Sequence, residues 1–135
     1  MNIENIAVIG AGFTGKQITA RCALYDYKVH LFDISPDALK EADDFLSKTF
    51  RPKSKRDKYD NISLVNDLSK ALKDVDLVIE AVPENIDLKK TVFSKIDKNA
   101  PSSTILATNS SSFPVSRLED AVKRKDKLVN LHFYP

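Results

Sequence analysis

The sequence predicts an α/β domain built on a doubly wound parallel sheet of about six strands, and three observations carry that prediction. Short apolar runs recur at residues 3–9, 29–32, 62–65, 76–82, 104–108 and 128–133. Segments with apolar residues at helical spacing separate most of them. The residues able to bind or react gather just after the runs, at 10–15, Asp33, 81–84, 109–112 and His132. Strands alternating with helices through right-handed crossovers give a parallel sheet, and its ligands sit beyond the carboxyl ends of the strands. A length of 135 residues suits one domain, residues 1–135. A chain of that size buries roughly two-thirds of its unfolded surface, so no disulfide or metal staple is required.

The first run breaks at Gly10-Ala11-Gly12-Phe13-Thr14-Gly15, and the three glycines of the chain all lie in this turn. Gly10 allows the tight turn, Gly12 lets the backbone approach a pyrophosphate, and Gly15 lets the following helix pack close to the strand. The pyrophosphate would rest on the free N–H groups of that helix, which opens near Phe13. Asp33 closes the second run 18 residues after Gly15, about where an acid meets the ribose hydroxyls of adenosine. It would repel a 2′-phosphate, and no Arg or Lys follows it before Lys40, so NAD is expected over NADP. The turn follows a strand pattern, opens a helix pattern and is answered by a spaced acid, which is the Rossmann fingerprint of dinucleotide binding. A tight β–α turn without a ligand is the plain alternative.

Ile18, Ala20, Cys22, Ala23 and Leu24 lie on the first helix, and Tyr25-Asp26-Tyr27 is the return to the second strand. Ser35 caps the next helix with Pro36 at its first position. Ala38, Leu39, Ala42, Phe45 and Leu46 carry it until Arg51-Pro52 stops it. Residues 62–65 form a weak third strand, and Asn66 or Asp67 caps a brief helix bearing Leu68, Ala71 and Leu72. Residues 76–82 read as a buried parallel strand stopped by Pro83, followed by a helix traced by Ile86, Leu88, Val92, Phe93 and Ile96. A fifth strand at 104–108, a helix from about Pro114 to Lys123 and a sixth strand at 128–133 complete the pattern. The expected strand order is 3-2-1-4-5-6.

With 21 basic and 19 acidic residues the net charge of +2 is too balanced to argue for nucleic acid or a membrane surface, and no stretch approaches a membrane span. Lone Cys22 reads as a buried thiol; with no secretory leader in view, a reducing cytoplasm is expected. Arg51 to Lys58 holds five basic residues and one acid, which reads as a solvated, mobile connection or, more sharply, as a phosphate contact. His30 lies inside the second strand and reads as a packed side chain.

His132 stands at the ligand edge, and an imidazole is the side chain best suited to act there as a general base. A histidine satisfied by hydrogen bonds at a strand end is the plain alternative. Beside a hydroxyl cluster at Ser110 to Ser112 and an expected nicotinamide, the chemistry is hydride transfer from a secondary alcohol. His132 would take the hydroxyl proton while Ser111 holds the same oxygen. A histidine base usually needs an orienting carboxylate, and no acid follows His132 in this chain.

Gly10 to Gly15, Glu80-Ala81-Val82-Pro83-Glu84-Asn85, Asn109-Ser110-Ser111-Ser112 and Leu131-His132-Phe133 together resemble the N-terminal NAD-binding domain of 3-hydroxyacyl-CoA dehydrogenases, in order and spacing, across nearly the whole chain. That resemblance implies that Asp33 binds the adenosine ribose and that Glu84 and Lys89 contact NAD. It further implies that Ala81, Val82, Pro83 and Asn109 border the cofactor, that Ser111 touches substrate and nicotinamide, and that His132 is the catalytic base. The expected partner is a small-molecule substrate, with an acyl-CoA as the candidate the resemblance implies. Relatives acting on carnitine or gulonate share the architecture, and a non-catalytic nucleotide-binding module is the rival from another class.

Three departures stand out. Family members continue into a helical domain carrying the histidine's glutamate partner, and this chain ends before it. The family's His-Phe-Phe-Asn-Pro is here His132-Phe133-Tyr134-Pro135. The family's helical hairpin after the second strand, which helps hold CoA, is here shortened to residues 34–61.

Overall fold

A computed structural model describes residues 2–133. Six parallel strands form one sheet in the order β3-β2-β1-β4-β5-β6: β1 (Asn5–Ile9), β2 (Lys28–Phe32), β3 (Ile62–Val65), β4 (Leu77–Glu80), β5 (Ile105–Thr108) and β6 (Leu128–Asn130). The helices are α1 (Phe13–Leu24), α2 (Pro36–Thr49), α3 (Leu68–Ala71) and α4 (Ile86–Asn99). This is the doubly wound architecture expected from the apolar runs. Strand alternation splits the core in two. Val8, Leu31 and Ile79 pack on one face with Ile18 and Cys22 of α1 and Leu46 of α2. Ala7, Ile9, Val78 and Leu106 pack on the other with Leu72, Phe93 and Ile96. Both faces of β1 and β4 are therefore covered, which is why those runs read as continuously apolar.

The helix signals behave as their chemistry requires. Ser35 Oγ accepts from Ala38 N with Pro36 in the first turn of α2. Asp67, the second of two alternatives, caps α3 through Lys70 N. Asn85 caps α4 through Leu88 N.

Three expectations need correction. Residues 114–123 form short 3₁₀ turns, Val115–Arg117 and Glu119–Ala121, in place of an α-helix. A segment that short has little helical stability of its own, so tertiary anchors decide its path. Here the anchor is Arg124, which binds Asp97 Oδ1 at 2.7 Å and donates to the carbonyls of Asp97 and Ala100 at the end of α4 and of Thr104 just before β5. The basic run is solvated as expected, but from Lys53 onward it takes a defined path within a 3₁₀ segment Lys53–Asn61. Tyr59 donates to Asp43, Lys58 pairs with Asp26, and Asn61 Nδ2 donates to Ala23 O at 3.1 Å. Since Asp26 precedes β2 and Ile62 pairs with Val29 at the start of that strand, the run ends at the amino edge of the sheet. That edge is opposite the ligand edge. Finally, β6 stops at Asn130; Leu131 N still donates to Thr108 O at 2.9 Å, and His132 follows beyond the last rung. Tyr134 and Pro135, where the sequence departs from the family's motif, lie outside the described residues.

Candidate functional site

The glycine turn is built by close approaches. Gly10 has φ of +110°, and a Cβ there would lie 2.7 Å from Ala81 O. A Cβ on Gly15 would lie 1.6 Å from Gly10 O. Gly12 is the opposite case: a Cβ would meet nothing within 4 Å, so the turn is open on the side where a ligand would approach. Gly12 is also the N-cap of α1, with no side-chain cap and no acid in the first turn. The partial positive charge of that helix end is thus left for an anion.

Asp33 is tied to this turn. Its Oδ2 accepts from Ala11 N and its Oδ1 from Ser35 N, both at 2.9 Å. A carboxylate offers about four lone-pair sites, so these bonds fix its aim and leave capacity for two hydroxyls.

A cavity of about 1000 Å³ runs along the carboxyl edge. Gly10, Gly12, Phe13, Thr14, Asp33, Ala81, Val82, Pro83, Glu84, Lys89, Asn109, Ser111 and His132 all line it. Ala11 and Gly15 of the expected set do not: they are buried beneath the turn and shape it. Sequence reasoning missed much of the apolar wall, including Phe32, Ile34, Leu68, Leu88 and Val92. Leu88 and Val92 carry a helical period that reads equally as core. The usable signal was Ile34, directly after the acid and 79% exposed. None of the residues 51–58 lines the cavity.

The far end of the cavity is stitched by side chains. Asn109 Oδ1 accepts from Phe133 N at 2.8 Å, which fixes the backbone directly after His132. Asn130 Nδ2 donates to Ser110 O at 3.0 Å. Beneath them lies a buried ionic cluster that the apolar pattern of residues 76–82 concealed. Glu80 is fully buried; its carboxylate accepts from Val82 N (2.7 Å), Lys89 Nζ (2.6 Å) and Thr108 Oγ1 (2.7 Å). Lys89 is 1% exposed, and its three ammonium protons match three acceptors: Glu80, Val82 O at 3.2 Å and Glu84 Oε1 at 3.1 Å. Glu84 Oε2 accepts in turn from Ser110 Oγ, Ser111 N and Ser112 N at 2.9, 3.2 and 3.1 Å. Partial burial raises the Glu84 pKa, but hydrogen bonds from Lys89, Ser110 and Ser112 together with the lysine's charge outweigh it and hold the carboxyl at about 2. It is an anion at any working pH.

Strands in a sheet stand about 4.8 Å apart, so the three steps from β2 to β5 span about 14 Å. An acid at one end, an uncapped helix in the middle, and Ser111 with His132 along the same cavity at the other suit an elongated, centrally anionic ligand with a reacting group remote from its ribose.

Residues 5–135 match the family model for the 3-hydroxyacyl-CoA dehydrogenase NAD-binding domain. The chain is 33% identical to a probable 3-hydroxyacyl-CoA dehydrogenase of Caenorhabditis elegans, aligning 98% of itself with 49% of the worm protein. It is 32% identical to a probable 3-hydroxybutyryl-CoA dehydrogenase of Bacillus subtilis, again over 98% of itself and 49% of the relative. Among solved structures it superposes on a diketoreductase acting on dicarbonyl compounds with a TM-score of 0.94 and 36% identity, covering 99% of this chain and 51% of that one. The 3-hydroxybutyryl-CoA dehydrogenase of Escherichia coli gives 0.93 and 30%, covering 99% and 30%. The chain thus spans about half the length of the worm and Bacillus relatives.

Proposed function

Because this chain belongs to the 3-hydroxyacyl-CoA dehydrogenase family, as its NAD-binding domain, we propose that the whole protein interconverts a 3-hydroxyacyl-CoA-type secondary alcohol and its ketone with NAD. The observation that carries this reading is the single cavity joining Asp33 and the uncapped turn to Ser111 and His132. The site fits the cofactor: Gly12 leaves an open cradle, and the α1 terminus has no acid to oppose a pyrophosphate. Phe13, Thr14 and Gly12 would hold the phosphates through backbone N–H groups, and Asp33 the adenosine ribose. Glu84 and Lys89 border the same space. NAD supplies the hydride acceptor when bound. His132 takes the hydroxyl proton of the alcohol, and Ser111 donates a hydrogen bond to the same oxygen, fixing its direction.

A reducing compartment such as the cytoplasm fits Cys22, a buried thiol whose burial pushes its pKa up to about 11. Among the described residues no helix is long and apolar enough to cross a membrane. A second reading, a dehydrogenase of small non-CoA carbonyl compounds, draws on the basic run, which ends at the amino edge and offers the cavity no cation.

Calorimetric titration tests the cofactor site. NADH is expected to bind with NADPH at least about tenfold weaker, and Asp33→Ala to weaken NADH about tenfold through loss of charged hydrogen bonds. Equal affinities for the two nucleotides, or an unaffected variant, would refute the ribose assignment. In the whole protein, His132→Ala is expected to lower turnover by at least about 100-fold at unchanged NADH affinity; undiminished turnover removes it as base. Assays with a 3-hydroxyacyl-CoA and its free acid separate the two substrate readings.

A further inference from the structure

Glu80 ends an otherwise apolar, buried strand, and a carboxylate is costly there unless its environment uses it. Its three hydrogen bonds reach three pieces of the carboxyl edge: the Val82 backbone on its own loop, Lys89 on α4, and Thr108 at the end of β5. Two of these lead onward to the serine turn. Thr108 Oγ1, having donated to Glu80, accepts from Ser110 N at 3.1 Å. Lys89 passes to Glu84 Oε1, whose other oxygen gathers Ser110 Oγ, Ser111 N and Ser112 N. Both routes begin at Glu80 and end on residues 110–112. Backbone pairing of β4 with β5 stops at Glu80 and Thr108; beyond it Asn109 N donates to Glu80 O at 3.0 Å. The serine turn therefore takes its position largely from these side chains.

We propose that Glu80 is a positioning residue for the nicotinamide end of the site: with Lys89, Thr108 and Glu84 it clamps the loop after β4 to the serine turn after β5, and so sets where Ser111 meets cofactor and substrate. The inference rests on the dinucleotide reading above and deepens it. Glu80 is buried out of reach of any ligand, so it acts through the turn alone. The adenosine end is held by the glycine turn and Asp33, whose carboxylate bonds to Ala11 N and Ser35 N instead of to this cluster. Disturbing the clamp accordingly affects one half of the cofactor and spares the other.

The test compares NADH with ADP-ribose, which lacks the nicotinamide, as ligands of the 135-residue chain and three variants. Glu80→Gln keeps the shape and removes the charge. Thr108→Val removes the hydroxyl, and Thr108→Ser restores it. Calorimetry is expected to show ADP-ribose affinity within about twofold in every variant, and NADH about tenfold weaker in Glu80→Gln and Thr108→Val, with recovery in Thr108→Ser. If Glu80→Gln does not fold, the Thr108 pair decides. Parallel loss of both ligands would make the cluster a purely structural element and overturn the proposal. So would unchanged NADH affinity, or a wild-type chain binding the two ligands equally well. A wild-type chain binding neither refutes the dinucleotide reading itself, and the proposal falls with it.

Discussion

Lys89→Met is expected to destabilise the fold by about 3–5 kcal/mol, the usual consequence of removing one partner of a buried ion pair. The lysine is 1% exposed and supplies one of the three hydrogen bonds to fully buried Glu80. Methionine fills the volume but strands a carboxylate next to a backbone N–H and a hydroxyl, neither carrying charge. Since a domain is stable by only about 5–15 kcal/mol, the variant loses a large part of its margin. Adding Glu80→Gln should return a substantial share of it, because the uncompensated charge, more than the lost contact, causes the damage. Urea denaturation of the two single variants and the double variant measures this as a cycle. A Lys89→Met protein within about 1 kcal/mol of wild type would contradict a buried ion pair that the fold depends on.

Gly15→Ala is the second severe change. Its Cβ would stand 1.6 Å from Gly10 O and 2.8 Å from Gly10 C, both backbone atoms that no side-chain rotation can clear. Either α1 moves off β1 or the turn opens. A loss of about 3 kcal/mol or more is expected, at or beyond the upper end of ordinary overpacking, together with loss of NADH binding. Gly12→Ala is the contrast. Its φ is −74° and its Cβ meets no protein atom within 4 Å, so the fold should keep its stability while NADH binding weakens. Two glycine substitutions three positions apart with opposite signatures, one structural and one ligand-facing, distinguish a nucleotide cradle from a mere turn. Equal stability of Gly15→Ala and wild type would contradict the packing described here.

Legibility of this chain followed the range of the interactions involved. Glycine turn, caps and strand runs depend on residues a few positions apart, so Gly10 to Gly15, Ser35-Pro36, Asp33 and the sheet order could be read from local chemistry and the chirality of the crossovers. The ends of the strands named the binding edge, because parallel topology sends every strand's carboxyl end to one side. Residues 114–123 were not legible: their path is set by Arg124 reaching back to α4, a contact invisible to helical spacing. The basic run was legible in part. Its charges marked it as solvated, and it is largely exposed, but its 3₁₀ path is tied down by Lys58, Tyr59 and Asn61 through bonds to residues 16 to 38 positions away, which local spacing does not record. Glu80 is the sharpest case. Within the apolar run of 76–82 it looks like a flaw in a strand, and only the fold brings Lys89 and Thr108 against it. Local physics dictated which residues reach the site; what those residues are held by is a matter of long-range contacts, which burial makes strong and sequence spacing does not record.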